Sequence, residues 1–300
     1  MPREDTEFVS GRKGDRCRAW FYVPDGTGAP GPAVVMAHGF GGTRNAGLEP
    51  FAERFCAEGY RVLLFDYRHF GASEGEPRQL LSIPRQLEDW QNAVAFVRRL
   101  DGVDAARVGL WGSSFSGGHV VVTAARIPDV ACAISQGSML DGRGAFLKAA
   151  QNSGFFSFNI FGLRAMFDLL LAPFGASHNI PVFGPPGTVS CLCGEDTETS
   201  YSAIAPDDFV NGVAARVGLT IPFYRPVADA HRVQCPLLLQ VCDRDTLVAT
   251  DTADEIGRIM GDRCTVIHYD NQHFDVYVPP LFDESIEVQV GFLQEHLGSP

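Results

Sequence analysis

The stretch Arg107-Val-Gly-Leu-Trp-Gly-Ser-Ser-Phe-Ser-Gly-Gly118 limits the fold more than any other part of this 300-residue chain. Val108 to Trp111 reads as a short buried strand, and a helix begins near Phe115. Gly112, Ser113 and Ser114 stand between them, with Ser116, Gly117 and Gly118 just beyond. A strand can break this sharply into a helix only where the side chains around the turn are small. The apex residue is then strained and projects out of the sheet, the arrangement written G-x-S-x-G. Here the second small position is Ser116 rather than Gly. Three serines compete for the apex. Ser113 has the bulky Trp111 two residues before it, whereas Ser116 has Ser114 and Gly118 at that spacing and is permissible. Ser114, between Gly112 and Ser116, lies at the usual distance beyond the strand and is preferred. The plain alternative is a Gly/Ser-rich loop or a phosphate cradle, but the Lys of G-x-x-x-x-G-K-[ST] is missing.

The elbow sits within a regular alternation. Strands are expected over 17–23, 33–38, 61–66, 108–111 and 130–135, with helices over 48–58, from Pro84 to about 100, and 115–126. Ala33-Val-Val-Met-Ala is a continuous apolar run, as befits a strand buried on both faces. The alternation stops near residue 137 and resumes at Cys235, with strands over 236–242 and 265–269 and helices over 250–260 and 285–297. Strand–helix alternation with short connections means a mostly parallel sheet with helices on its faces. Right-handed crossovers gather the strand C-termini on one edge. His38, Asp66, Ser114 and Ser135 all fall there. That edge is where open α/β sheets bind ligands.

A serine hydroxyl needs a base, and the base needs an orienting acid. Histidine suits the first role because it exchanges protons near neutrality. Of eight histidines, His273 lies in Asp-Asn-Gln-His-Phe-Asp, a polar loop beyond the last expected strand, on the same edge as Ser114. His38 belongs to a His-Gly motif, and His119 sits one turn into the elbow helix, where it packs. The acid should follow another strand end, where Asp243-Arg-Asp245 offers two candidates. Asp245, inside the loop, is preferred to Asp243, whose plain role is to stabilise a turn. The order Ser114, Asp245, His273 is that of one hydrolase class. The oxyanion donors are expected to be the backbone N–H groups of Phe115 and Phe40, with Gly39, Gly41 and Gly42 allowing close approach.

These residues resemble the α/β-hydrolase superfamily. The likeness covers Ala33–Cys132 and Pro236–Leu297, carried by His38-Gly39, Asp66-Tyr67-Arg68…Gly71-Ala72-Ser73, the elbow, Asp245 and His273. His273-Phe-Asp-Val-Tyr277 looks like the loop of serine esterases and peptidase-like members near the prolyl-peptidase and acetyl-esterase branches. The resemblance implies an α/β fold with a mostly parallel eight-stranded sheet flanked by helices, and a largely helical cap inserted after the sixth strand. The core would comprise residues 1–136 and 233–300, and the cap 137–232. Serine at the apex, where dienelactone hydrolases carry Cys and dehalogenases Asp, implies acyl chemistry on a small-molecule ester, thioester or related substrate. Alternatives with the same site are a peptidase or amidase, a carbon–carbon bond hydrolase or an acyltransferase. A non-catalytic binding protein on this fold is the alternative of another class.

Composition narrows the partners. A formal net charge of −12 argues against nucleic acid and anionic membranes. The charged N-terminus carries no apolar run, and Gly154 to Phe174, interrupted by Asn159, Arg164 and Asp168, is too broken to read as a membrane span. Eight cysteines without disulfide-like spacing point to a reducing cytoplasm. Cys191-Leu-Cys193 lacks the second pair that zinc would need, so neither metal nor cofactor is expected. The rings Phe155, Phe156, Phe158, Phe161, Phe167 and Phe174 read first as cap core; some would line an apolar pocket, and exposed ones would serve a homodimer face or touch lipid.

Overall fold

The computed structural model describes residues 3–26 and 30–298. Among the described residues, ten strands run in chain order as β1 (Arg3–Ser10), β2 (Asp15–Tyr22), β3 (Gly31–Ala37), β4 (Arg61–Phe65), β5 (Val103–Ser113), β6 (Cys132–Gln136), β7 (Asn179–Ile180), β8 (Val213–Ala214), β9 (Leu237–Cys242) and β10 (Cys264–Tyr269). The described α-helices are α1 (Glu49–Ala57), α2 (Ile83–Val97), α3 (Phe115–Arg126), α4 (Gly142–Leu171), α5 (Thr197–Ile204), α6 (Asp251–Met260) and α7 (Leu281–Leu297). The main sheet has eight strands in the order β1-β2-β4-β3-β5-β6-β9-β10. From β4 to β10 every pairing is parallel, and only β1 and β2 run antiparallel to their neighbours.

The apolar strands make sense of the layers. In β3, Ala33, Val35 and Ala37 enter one core and Val34 and Met36 the other, because successive side chains point to opposite faces. Helices α2, α3 and α6 cover the first face with residues such as Trp90, Val121 and Ile256. Helices α1 and α7 cover the second with Phe51, Phe55 and Leu293. A chain of buried amides ties α7 to the sheet: Gln289 Nε2 donates to Gln136 Oε1 (2.7 Å) and Gln240 Oε1 (2.6 Å), and Gln289 Oε1 accepts from Trp111 Nε1 (2.8 Å).

Strand β1 has no counterpart in the sequence reading. Four of its first five residues, Arg3, Glu4, Asp5 and Glu7, are charged, none of the five is buried, and only Phe8 and Ser10 of the strand are. It pairs along its whole length with β2, from Arg3↔Tyr22 to Ser10↔Asp15. Charge along a sheet edge discourages further pairing, and the same charge hides the strand from a pattern search. Helix α7 also starts earlier than expected, at Leu281.

Between β6 and β9 lie α4, the two-residue ladder β7–β8 and α5. Asp141 caps α4 by accepting from Arg143 N–H (2.8 Å) and pairs with Arg225 (2.9 Å). Gly154 breaks the helix at φ 71° and ψ 165°, a conformation suited to glycine. Beyond the break, the fully buried Asp168 accepts from the Arg216 guanidinium (2.7 and 3.0 Å) and from the N–H groups of Arg216 (2.8 Å) and His178 (2.6 Å). The helical stretch Gly142–Phe174 is long and apolar enough, by length and composition alone, to cross a bilayer. In the fold it is docked on the protein through Phe161, Ala165 and Asp168. Phe155, Phe156, Phe167 and Phe174, expected first as core, are exposed instead.

Candidate active site

Ser114 stands between β5 and α3 at φ 57° and ψ −120°, a positive φ that a non-glycine residue adopts only under constraint. The constraint comes from both sides. Ser114 N–H donates to Gln136 O (2.8 Å), and its carbonyl accepts from Met139 N–H (3.0 Å) and Gly117 N–H (3.1 Å). The turn closes because Gly112 has no side chain: a Cβ there would lie 2.5 Å from Ser116 O.

The three serines have separate fates. Ser113 Oγ bonds Tyr277 Oη at 2.6 Å. Ser116 is fully buried, and its Oγ bonds Tyr67 Oη at 2.8 Å, which in turn accepts from Trp90 Nε1 at 2.8 Å. A serine therefore fits where the motif has glycine because Tyr67 takes up its hydroxyl. Only Ser114 meets His273, with Oγ 3.0 Å from Nε2. The other ring nitrogen, Nδ1, lies 2.5 Å from Asp245 Oδ2. Asp245 Oδ1 accepts from the N–H groups of Leu247 (2.7 Å) and Val248 (3.0 Å), which fixes the carboxylate's orientation. Asp243, the other carboxylate weighed, points away to the exposed His268 at 2.6 Å. The inserted segment grips the Asp245 loop, since Lys148 Nζ donates to Asp245 O (2.7 Å) and Asn152 Nδ2 to Thr246 O (3.0 Å).

Phe40 and Phe115 line the same cleft as Ser114, their rings edge to face at 5.5 Å between centroids. Phe115 opens α3, so its N–H has no carbonyl partner within the helix. The loop carrying Phe40 is held from the inserted segment. Tyr201 of α5 donates its hydroxyl to Phe40 O (3.1 Å) while its ring stacks on Phe183 at 4.6 Å. No sequence signal marked Tyr201; it acts across 161 residues of chain.

A cleft spanning about 700 Å3, open solvent included, lies over Ser114. Its wall is apolar, built by Phe115, Met139, Phe146, Phe161, Val217 and Leu247 among others. Cys191 and Cys193 also line it, and all eight cysteines are free thiols. Burial pushes both of these thiols upward, away from the reactive thiolate. A second, smaller recess of about 360 Å3 meets the cleft at Ser114, bounded by Gly39, Tyr201, Ile204, His273 and Tyr277.

The histidines set aside earlier are structural. His38 donates from Nδ1 to Gly39 O (3.1 Å) and accepts at Nε2 from Tyr67 N–H (3.4 Å). His119 lies between Tyr224 Oη (2.6 Å) and Gln86 Oε1 (2.9 Å). Burial depresses His38 to about 4 and His119 to about 3. The unfolded chain therefore takes up two protons below about pH 6.5 that the folded chain refuses until pH 4 or lower. Stability is complete above that range and falls as the pH drops. Urea unfolding should give a free energy roughly 3 kcal/mol lower at pH 5.5 than at pH 7.5. His69, lowered by burial to about 4, adds to this fall; the buried Asp89, raised to about 6, opposes it, and the exposed His268, raised by Asp243, opposes it only weakly because solvent screens it. Equal stability at the two pH values would contradict neutral burial.

Comparison with known proteins follows the same architecture. The profile of the X-Pro dipeptidyl-peptidase (S15) family matches residues 13–163, from β2 into α4. The quorum-quenching protein AidA of Acinetobacter baumannii is 40% identical over 282 residues, which is 93% of this chain and 91% of that protein. The chain belongs to the α/β-hydrolase superfamily. A polyketide transferase of a Penicillium species, GrgF, is 33% identical over 144 residues, 48% of each chain. The solved structure of the α/β hydrolase GrgF from Penicillium sp. sh18 superposes with a TM-score of 0.82 at 22% identity, covering 99% of both chains. Membership and relatives together make this protein an enzyme of hydrolysis or acyl transfer.

Proposed function

We propose that this enzyme is a serine hydrolase that opens an ester or thioester with an apolar acyl group through an acyl-enzyme on Ser114. The observation that carries the reading is the unbroken chain Ser114 Oγ–His273–Asp245, at 3.0 and 2.5 Å, opening on an apolar cleft. Ser114 Oγ attacks the carbonyl carbon and its proton passes to His273 Nε2. Asp245 holds Nδ1–H and stabilises the imidazolium. The N–H groups of Phe40 and Phe115 receive the oxyanion. Collapse of the tetrahedral intermediate breaks the bond to the leaving alcohol or thiol, which takes the proton from His273. Water then repeats the sequence, releasing the acid and restoring Ser114.

The segment 137–232 acts in this reading as a cap, with Phe146 and Phe161 holding the acyl chain and the smaller recess by Ile204 taking the leaving group. Each methylene buried in the apolar cleft is worth about 0.8 kcal/mol, so kcat/KM should climb about fourfold per carbon until the cleft is full. The test is a series of p-nitrophenyl esters and matching acyl thioesters of increasing chain length. A clear optimum beyond acetyl is the expected result. A preference for acetyl would sink the apolar acyl pocket. Absence of both turnover and labelling by a fluorophosphonate would sink the nucleophile and favour a binding protein on this fold.

A further inference from the structure

Beyond Gly154, α4 is apolar on nearly every side. From Phe155 to Phe174 the only charged residues are Arg164 and Asp168. The residues that dock it, Phe161, Ala165 and Asp168, form one narrow stripe. The opposite face carries Phe155, Phe156, Leu163, Met166 and Leu170, and the 3-10 turn Ala172–Phe174 that follows α4 adds Phe174, each between 51% and 83% exposed. A helix that is hydrophobic all round is normally covered. Here the buried Asp168–Arg216 ion pair prevents the helix from rotating its outer face inward.

We infer that this outer face of α4 is the contact surface of a homodimer, packed against the same face of a second copy of the chain. The area matches. Covering the six side chains removes on the order of 600–900 Å2 per chain from water, against about 800 Å2 per partner in a standard interface. The shape matches too. Phe155, Asn159, Leu163, Met166 and Leu170 follow one another at steps of three and four residues, the spacing of a helix–helix seam. Gly162 lies in that seam with no atom within 4 Å of where its Cβ would be, which leaves room for a second backbone. The seam bears no charge, so two identical faces meet without like-charge repulsion, as a two-fold contact requires.

Lipid fits less well. A helix lying on a membrane keeps a cationic polar face toward water. Beyond Gly154 this helix has one cation, Arg164, on a chain of net charge −12, and its remaining face is occupied by protein.

The test is the mass of the full chain in solution by sedimentation velocity, without detergent and at micromolar concentration. Twice the 32.6 kDa of one chain is expected. The double variant Leu163→Glu/Leu170→Glu should weaken association on the order of 100-fold or more and run as a monomer. Both side chains are exposed, so its circular dichroism should match the parent. The milder Leu163→Ser should shift the equilibrium in the same direction. A monomeric parent overturns the inference, as does a dimer unmoved by either variant. A monomer that co-floats with phosphatidylcholine vesicles would assign the face to lipid instead.

Discussion

Ser114→Ala should reduce kcat by roughly 10^4–10^6 while leaving the fold in place. The hydroxyl is the only atom removed, and the turn that imposes φ 57° is held by backbone bonds to Gln136, Met139 and Gly117 that alanine keeps. The melting temperature should stay the same or rise slightly, because a strained functional position is relieved of a polar group that serves chemistry rather than stability. Ser116→Ala is the informative companion. Its hydroxyl lies in the buried Tyr67–Trp90 chain, so its loss should cost about 1 kcal/mol of stability and leave most of the activity. Ester turnover and thermal melts of the two variants separate the roles. Ser114→Ala retaining a tenth of wild-type activity, or the two variants exchanging phenotypes, would place the nucleophile elsewhere.

The second large effect is expected for Asp245→Asn, a loss of about 10^4 in kcat with little change in KM. Oδ1 of Asp245 accepts two backbone N–H groups, from Leu247 and Val248. An amide placed there must keep its oxygen on those donors and turn its NH2 toward His273 Nδ1. The ring would then have to accept at Nδ1 and carry its proton on Nε2, leaving nothing to take the proton of Ser114. Asp243→Asn should change kcat less than about twofold, since that carboxylate pairs with the exposed His268, where ion pairs are worth little. Steady-state kinetics on one ester decide between the two. A larger loss from Asp243→Asn would reverse the assignment.

The fold was legible because its signals are local. Ala33–Ala37, Val62–Phe65 and Leu237–Leu239 are apolar through and through, and the structure buries every residue of them. The charged β1 was not, because an edge strand needs no apolar pattern when β2 supplies its hydrogen bonds. The reading of Phe155, Phe156, Phe167 and Phe174 as core also failed. A local aromatic run says that a surface must be covered, and it does not say by what.

The sequence by itself determined the alternation of strands and helices, the sharp turn at Gly112–Gly118, and the short set of serines, acids and histidines at the strand ends. Each is a property of neighbouring residues, set by side-chain size, periodicity and turn chemistry. Only the tertiary structure decided which of them meet. His273 reaches Ser114 across 159 residues and Asp245 across 28, and Tyr201 reaches the Phe40 loop across 161. The Gln136–Gln240–Gln289 chain behind the sheet and the Asp168–Arg216 clamp under α4 likewise join distant segments. Such contacts depend on where packing brings whole elements to rest, and no residue's nearest neighbours in the chain carry that information.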